Sequence, residues 1–403
     1  MRKLTEHDSM RTLSADVLPV LQLCATKGPL FPNLKGLEFQ LTVGDPIPFI
    51  PLFLSAGITA INIKISGAHL CNVMVASLVT SLPVLCPRVQ EIDLRVPTDP
   101  VIDAAVSRML LATNRNTLQS LRVDSPLTEE AHKWIFRLPN LRELWVVTDG
   151  DVSLPSALLP GLTNLTIDDD YGSDWSQIFR GATLDKLESF TFFSGMEHPE
   201  DFLETFERVA LSISAQKTLS ELYLYNNTLP WNPSYSCLLP FTRLTHLGIV
   251  YPCHIGCSST VDDDVITNLA QAMPRLETLR LGDSPCSKIP TGVTVKGLVA
   301  LAHHCLGLST LRLHLKVDSF CAPMVNAGVV PDPRFTVARR ECALKDLEVG
   351  YIIVPKGSAL VVALTLLRIF PHIQCIDREC EDWDWIADAI RVSRQIDDNL
   401  ASE

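Results

Sequence analysis

No stretch of this 403-residue chain is long and apolar enough to cross a bilayer. The longest apolar run, near residues 358–370, is amphipathic and short, and the opening segment MRKLTEHDSMRTLSADVL carries charges where a secretory signal needs an apolar core. These absences predict neither export nor membrane insertion. Runs rich in Lys or Arg are also missing, and the net charge is −12, which argues against nonspecific binding to nucleic acid or to an anionic membrane. The twelve cysteines are scattered singly (Cys24, Cys71, Cys86, Cys237, Cys305 and others), so they look neither like a disulfide framework nor like a zinc site. Their pattern predicts a reducing compartment, cytosol or nucleus. No low-complexity linker divides the chain, and no P-loop, G-x-G-x-x-G or G-x-S-x-G motif occurs.

What the chain does contain is repetition. Residues 141–146 (LRELWV) place apolar residues at offsets 0, 3 and 5, too tight for one helical face and too irregular for a plain alternating strand. The same spacing recurs as LKGLEF at 34, ITAINI at 58, VQEIDL at 89, LQSLRV at 118, LTNLTI at 162 and LESFTF at 187. It continues as LSELYL at 219, LTHLGI at 244, LETLRL at 276, LSTLRL at 308, LKDLEV at 344 and a degenerate IQCIDR at 373. About thirteen copies of L-x-x-L-x-L are the core of a leucine-rich repeat.

An apolar-Pro pair often precedes the motif, as in FPNL (31–34), CPRV (86–89), LPNL (138–141), LPGL (159–162), MPRL (273–276) and FPHI (370–373). Proline cannot continue a helix and pushes the residue before it out of the helical basin, so it closes one segment and hands the chain to the next strand. Helical spacing between motifs predicts helices over 100–113, 201–213, 262–273, 294–305 and 358–370, whereas 148–158 and 226–240 read as turns only. Repeat starts are roughly twenty residues apart at 118, 141 and 162 but more than thirty apart at 244, 276, 308 and 344, so the repeats are irregular, with a thicker helical wall in the C-terminal half.

The expected fold is therefore α/β: a leucine-rich-repeat solenoid forming a right-handed arc, with parallel strands on its concave face and helices and turns on its convex face. Residues 1–30 are expected to be an N-terminal capping segment, 31–380 the solenoid and 381–403 a C-terminal capping helix and tail. The amphipathic stretch 382–394, with Trp383, Trp385, Ile386 and Ile390, would supply the cap. A repeat array escapes the usual division of so long a chain into compact domains, because each unit packs on its neighbours.

Candidate chemistry is sparse. CHIGC (Cys253–Cys257) is the best metal candidate but reads as a loop cysteine pair, since no second pair accompanies it. Ser284, in GDSP, suggests a hydrolase nucleophile at a strand end, yet the segment also reads as the turn that must follow LETLRL. Asp168–Asp170 read as a strand-exit loop and Asp262–Asp264 as a helix start, where carboxylates cap amides. His303 and His304 fit the negative end of a helix better than a ligand pair, because adjacent helical residues do not face each other. No catalytic site, metal site or cofactor is expected.

The repeat surface remains. With offsets 3 and 5 in the core, offsets 2, 4 and 6 face outward on the concave side. In the middle repeats these are Glu143, Trp145, Val147; Asn164, Thr166, Asp168; Ser189, Thr191, Phe193; Glu221, Tyr223, Tyr225; and His246, Gly248, Val250. The outward set then turns cationic at Arg280, Arg312 and His314 and acidic at Asp346, Glu348, Asp377 and Glu379. Exposed clusters of large apolar residues mark interaction sites, so Trp145, Val147, Phe193, Tyr223, Tyr225, Val250, Arg280 and Arg312 are the expected partner-binding residues, with the four aromatics substantially solvent-accessible. Strand propensity alone would also place aromatics there.

The apolar-Pro-x-Leu stops, L-x-x-L-x-L strands, irregular periods and scattered cysteines resemble the leucine-rich-repeat half of fungal F-box-like proteins over roughly residues 30–390. The resemblance implies repeats that recruit a substrate for a cullin-RING ubiquitin ligase, joined to it through an F-box and a Skp1-type adaptor. Residues 1–30 are too short for a three-helix F-box, and Leu18-Pro19 lacks the pattern expected after it, so adaptor binding would need an F-box upstream. The expected function is a noncatalytic scaffold for protein partners, monomeric, acting as a substrate-recognition module of F-box type linked to a ubiquitin ligase, with a stand-alone adaptor or a GTPase-regulator-like scaffold as the alternative. A GTPase-activating scaffold would need a loop arginine, and no motif singles one out.

Overall fold

The computed structural model describes residues 3–5, 20, 23, 30–41, 47–66, 71–148, 159–169, 184–194, 217–226, 235–250, 261–282, 293–313, 315, 342–349, 359–378 and 384–401. The chain forms two compact units, the first ending at Leu187 and the second beginning at Glu188. In the first unit, strands β1 (Lys3–Thr5), β2 (Gly36–Leu41), β3 (Ala60–Ile65), β4 (Glu91–Arg95), β5 (Ser120–Pro126), β6 (Glu143–Thr148) and β7 (Asn164–Asp169) pair in parallel, each with the next. The second unit repeats the plan with β8 (Ser189–Ser194), β9 (Glu221–Asn226), β10 (His246–Val250), β11 (Thr278–Leu281), β12 (Thr310–Leu313), β13 (Asp346–Val349) and β14 (Cys375–Arg378).

All thirteen motifs become strands β2–β14, and every strand starts at motif offset 2. The local hydrogen bonds explain the spacing. At offset 1 a carbonyl turns sideways and accepts two amides of the next repeat: Arg142 O takes Thr163 N at 2.8 Å and Asn164 N at 2.9 Å, and Gln119 O takes Arg142 N and Glu143 N in the same way. The offset-0 leucine lies before this bend and the offset-3 and offset-5 residues after it, so Leu141, Leu144 and Val146 all enter the core. Register keeps like offsets opposite one another, with Phe190 facing Leu222, then Leu247, Leu279, Leu311, Leu347 and Ile376 along the second unit. The chain is thus an α/β leucine-rich-repeat protein.

Between strands lie helices α1 (Asn72–Leu85), α2 (Pro100–Ala112), α3 (Glu129–Ile135), α4 (Asp263–Ala272), α5 (Val295–His304), α6 (Ala359–Ile369) and α7 (Asp384–Ala401). Four of the five expected helices are present; the segment 201–213 lies outside the described residues. Helices α1, α4 and α6 stop one residue short of Cys86-Pro87, Met273-Pro274 and Phe370-Pro371, as the proline argument expects, although α1 also runs through Pro83 in its last turn. The additional helix α1 hides its period because it is apolar nearly all round, leaving Val73 and Val84 exposed while Val75, Leu78, Val79 and Leu82 are buried. Helix α3 is too short to show a period, but Thr128 caps it by accepting from Ala131 N at 3.3 Å.

Both ends differ from expectation in detail. Within the segment expected only to cap, Lys3–Thr5 add a strand that sets Leu4 opposite Leu37. The C-terminal helix runs to Ala401, longer than 382–394, and packs against α6 with Ile386 and Ile390 buried; Trp383 lies outside the described residues.

The cysteines at the ends of convex segments act as small apolar side chains. Cys86, Cys305 and Cys342 are fully buried, and the Cys305 thiol points at Met273 O (3.5 Å) and Ala270 O (3.7 Å). Burial pushes the Cys86 thiol up to about 11 and the Cys305 thiol up to about 12, from an ordinary 9.0. The unfolded chain therefore loses these protons first, and folding stability is expected to fall as the pH rises from about 9 towards 12. Iodoacetamide at about pH 8 should label exposed Cys71 and Cys375 quickly and spare the three buried thiols until denaturant is added. Rapid labelling of Cys305 in the native protein would contradict its placement.

Candidate functional site

Burial alternates along the strands as the offsets require. In β6, Leu144, Val146 and Thr148 are buried while Trp145 and Val147 are half-buried; in β8 Phe193 is half-buried between buried Phe192 and Ser194, and in β9 Tyr223 and Tyr225 are half-buried on either side of buried Leu224. Val250, Arg280 and Arg312 share that intermediate exposure. The aromatics are thus outward-facing but not open to solvent as expected, because side chains of neighbouring strands lie against them.

In the first unit the cover is electrostatic. Register sets Asp93, Arg122, Trp145 and Thr166 side by side on β4–β7. The Arg122 guanidinium carbon lies 3.3 Å from the Trp145 ring centroid, a cation–π contact. Its Nε is 3.5 Å from Asp124 Oδ1 and 3.8 Å from Asp93 Oδ1, and Arg95 Nε is 3.2 Å from the same Asp93 oxygen. Burial lowers the Arg122 pKa, against the pull of Asp124, and burial raises that of Asp124, against the pull of Arg122. Two cations and two anions around one indole make a charge-balanced, ordered patch. The outward reading of the sequence began at the repeat of residue 141; the same parity applied to the repeats at 89 and 118 identifies Asp93 and Arg122.

In the second unit the cover is aromatic. Phe193 and Tyr225 stack with centroids 4.6 Å apart at 14°, and Tyr223 lies beside Tyr225 at 6.4 Å and 16°. The Tyr223 ring rests on Gly248 of the next strand, where a Cβ would come within 2.4 Å of Tyr223 Cδ1. Burial, then Glu221, raises the Tyr223 pKa, while Arg280 opposes them. On β13, three strands beyond Gly248, Glu348 binds two arginines at once: Arg280 Nη2 to Oε1 at 3.3 Å and Arg312 Nη1 to Oε2 at 3.2 Å. Trp145 and Val147 belong to the first unit, and Phe193, Tyr223, Tyr225, Val250, Arg280 and Arg312 to the second.

Other candidates resolve into structure. Asp168 and Asp169 lie within β7 and not in a loop, because the strand extends two residues past the motif; Asp170 lies outside the described residues. Asp169 is fully buried and accepts the Thr148 hydroxyl at 3.2 Å. Asp262 caps its own helix, accepting from Asp264 N and Val265 N. Asp263 instead reaches the start of α5, accepting from Thr294 N at 2.8 Å, Thr294 Oγ1 at 2.6 Å and Gly297 N at 3.0 Å. Contrary to the expectation that neighbours on a helix stay apart, the His303 and His304 rings meet edge to face at 4.8 Å, and partial burial followed by His303 lowers the His304 pKa. Cys253–Cys257 and Ser284 lie outside the described residues. Among the described residues, no three His, Cys, Asp or Glu gather as they would around a metal ion.

One further pattern lies outside the L-x-x-L-x-L motif. At offset 7 the inward residue is apolar in early repeats (Leu41, Ile65, Val96) and then polar yet fully buried in Ser125, Thr148 and Asp169, and again in Ser194 of the second unit. The change from apolar to polar at a constant offset was its available signal.

No family model and no curated protein matches the sequence. Among solved structures, the chain is similar to the Rad7–Elc1 complex of yeast at 16% identity, covering 65% of this chain and 74% of that one with a TM-score of 0.39. It is also similar to the leucine-rich repeat-containing protein LegL7 of Legionella pneumophila at 10% identity, covering 93% and 98% with a TM-score of 0.32.

Proposed function

We propose that this leucine-rich-repeat chain is a noncatalytic scaffold that recognises protein partners through the outward positions of its strands. The supporting observation is the stack of Phe193, Tyr225 and Tyr223, held in order on a face where alternation leaves one side of the strands free of core packing. Aromatic rings already fixed by their neighbours lose little conformational freedom when a partner covers them, and such rings commonly dominate binding energy. The resemblance to the repeat half of fungal F-box-like proteins extends this reading to a substrate receptor of a ubiquitin ligase, which co-purification of a Skp1-type adaptor with the full-length native protein would support.

The test compares the intact protein with Trp145→Ala/Tyr223→Ala for recovery of partners from the native cell, with melting temperatures measured in parallel. The double variant should keep most of its stability and lose partner recovery, each hot-spot ring contributing about 2 kcal/mol or more of binding. Full recovery by a stable double variant would assign these rings to strand propensity alone.

A further inference from the structure

We propose that the rim of the first unit where the chain enters β5 and β6 is a docking surface separate from the outward face, and that it takes an acidic segment of a partner protein. An apolar side chain of that segment enters a hollow beside Leu111 and Trp134, and an adjacent carboxylate meets Arg115 and Arg137. The hollow has a volume of about 410 Å³ and is lined by Leu111 of α2, by Arg115, by Glu130, Lys133 and Trp134 of α3, and by Arg137. It lies in a rim of one sign. The stretches 86–90, 113–119 and 136–142, which lead into β4, β5 and β6, hold Arg88, Arg115, Arg137 and Arg142 and no acidic residue, and all four arginines are exposed. Parallel stacking keeps these stretches side by side: Gln119 N donates to Gln90 O at 2.7 Å, Arg142 N to Gln119 O at 2.7 Å, and Asn140 Nδ2 to Asn116 O at 2.8 Å. One or two arginines per repeat make no basic run in the sequence, yet the repeat gathers them on one edge.

These arginines differ from their neighbours in having no internal partner. Arg95 and Arg122 of the same unit sit against Asp93 and Asp124, and Lys133 pairs with Glu129. Among the described residues, no carboxylate meets the side chain of Arg88, Arg115, Arg137 or Arg142. Within the hollow, Glu129 neutralises Lys133, which leaves Arg115 and Arg137 against the single unpaired carboxylate of Glu130. That excess of one positive charge suits a carboxylate better than a phosphate dianion. A nucleic-acid strand needs cations along a longer track, whereas the flanking entries 55–59 and 159–163 carry none. Three strands at about 4.8 Å spacing span roughly 10 Å, the reach of about three extended residues. Glu91 and Glu143 follow at offset 2 on the outward face, so an acidic segment must approach from the helix side of the rim. There exposed Leu111 and half-buried Trp134 offer apolar surface beside forked donors that match a carboxylate in its plane.

The experiment incubates the full-length protein with an array of degenerate nonapeptides in which a fixed Leu or Trp is followed by a fixed Asp, Asn, phosphoserine or Lys, and with a short oligouridylate. The Asp peptides should bind best and weaken as salt rises. For the best of them, fluorescence anisotropy should show about a tenfold or greater loss of affinity in Arg115→Gln/Arg137→Gln and a further loss in Trp134→Ala. Glu130→Gln removes the one opposing charge and should tighten binding about twofold, a gain that a folding defect does not produce. Arg108→Gln, at an exposed arginine of α2 outside the rim, should bind as the intact protein does. Melting curves confirm that the variants fold, and the glutamine variants, which alter exposed side chains, keep the test valid if Trp134→Ala does not fold. Failure of every Asp peptide to bind, tighter binding of the other peptides or of the oligouridylate, or unchanged affinity in the folded arginine pair overturns the proposal. So does a loss in Trp145→Ala/Tyr223→Ala without one in the arginine pair, which assigns the peptide to the outward face and leaves the scaffold reading standing.

Discussion

Replacing Phe190 by alanine should lower the folding stability by about 3–5 kcal/mol, read as a fall in the urea midpoint. Phe190 is 1% exposed at offset 3 of β8, opposite Leu222, with the Phe192 ring 6.4 Å away. The substitution removes a fully buried ring from a stack in which every repeat packs on the next, so adjacent side chains cannot close the void without breaking register. Three residues along the same strand, Phe193 faces outward and loses mainly its stacking on Tyr225, worth about 1 kcal/mol. Comparable midpoints for Phe190→Ala and Phe193→Ala would mean that the alternation of core and surface is wrong.

The second large effect separates three consecutive identical residues. Asp263→Ala should cost about 1.5–3 kcal/mol, because its carboxylate receives two amides and a hydroxyl at the start of α5 and truncation leaves those donors unmet. Asp262→Ala should cost about 1 kcal/mol, the usual loss for an N-cap that accepts from Asp264 N and Val265 N. Asp264→Ala should change little, since its contact with Lys296 at 3.4 Å is mostly in water. Thermal melts of the three variants check the order; an Asp264 effect as large as that of Asp263 would contradict the division of labour. No local rule distinguishes these aspartates in the sequence. Only the position of α5, more than twenty residues onward, makes Asp263 a link between two repeats.

The same contrast between near and far governs what the sequence reveals. The thirteen motifs map onto thirteen strands because the bend at offset 1 and the inward offsets 0, 3 and 5 are consequences of a few consecutive residues. Helix α1 was obscured because its exposed Val73 and Val84 blur the apolar stripe that periodicity detects. For the candidate surface, parity alone places Trp145, Phe193, Tyr223, Tyr225, Arg280 and Arg312 outward. It does not tell how far a long side chain reaches: Glu348 passes its nearest neighbour on β12 to meet Arg280 on β11, a pairing 68 residues apart in sequence. Half-burial of the aromatics has the same origin, since Arg122 comes to Trp145 from an adjacent repeat and Tyr225 to Phe193 across a strand pair. The buried polar set at Ser125, Thr148 and Asp169 is visible in the sequence only as a change at one offset.

Gly248 contributes no atom beyond the backbone to the surface, yet it sets the height of the Tyr223 ring above the sheet. Adding a single methyl there would raise the platform as a shim raises a bearing, while Leu247 and Ile249 on either side stay in the core. The contour of this outward surface can thus be retuned at a position that has no side chain of its own, without disturbing the core.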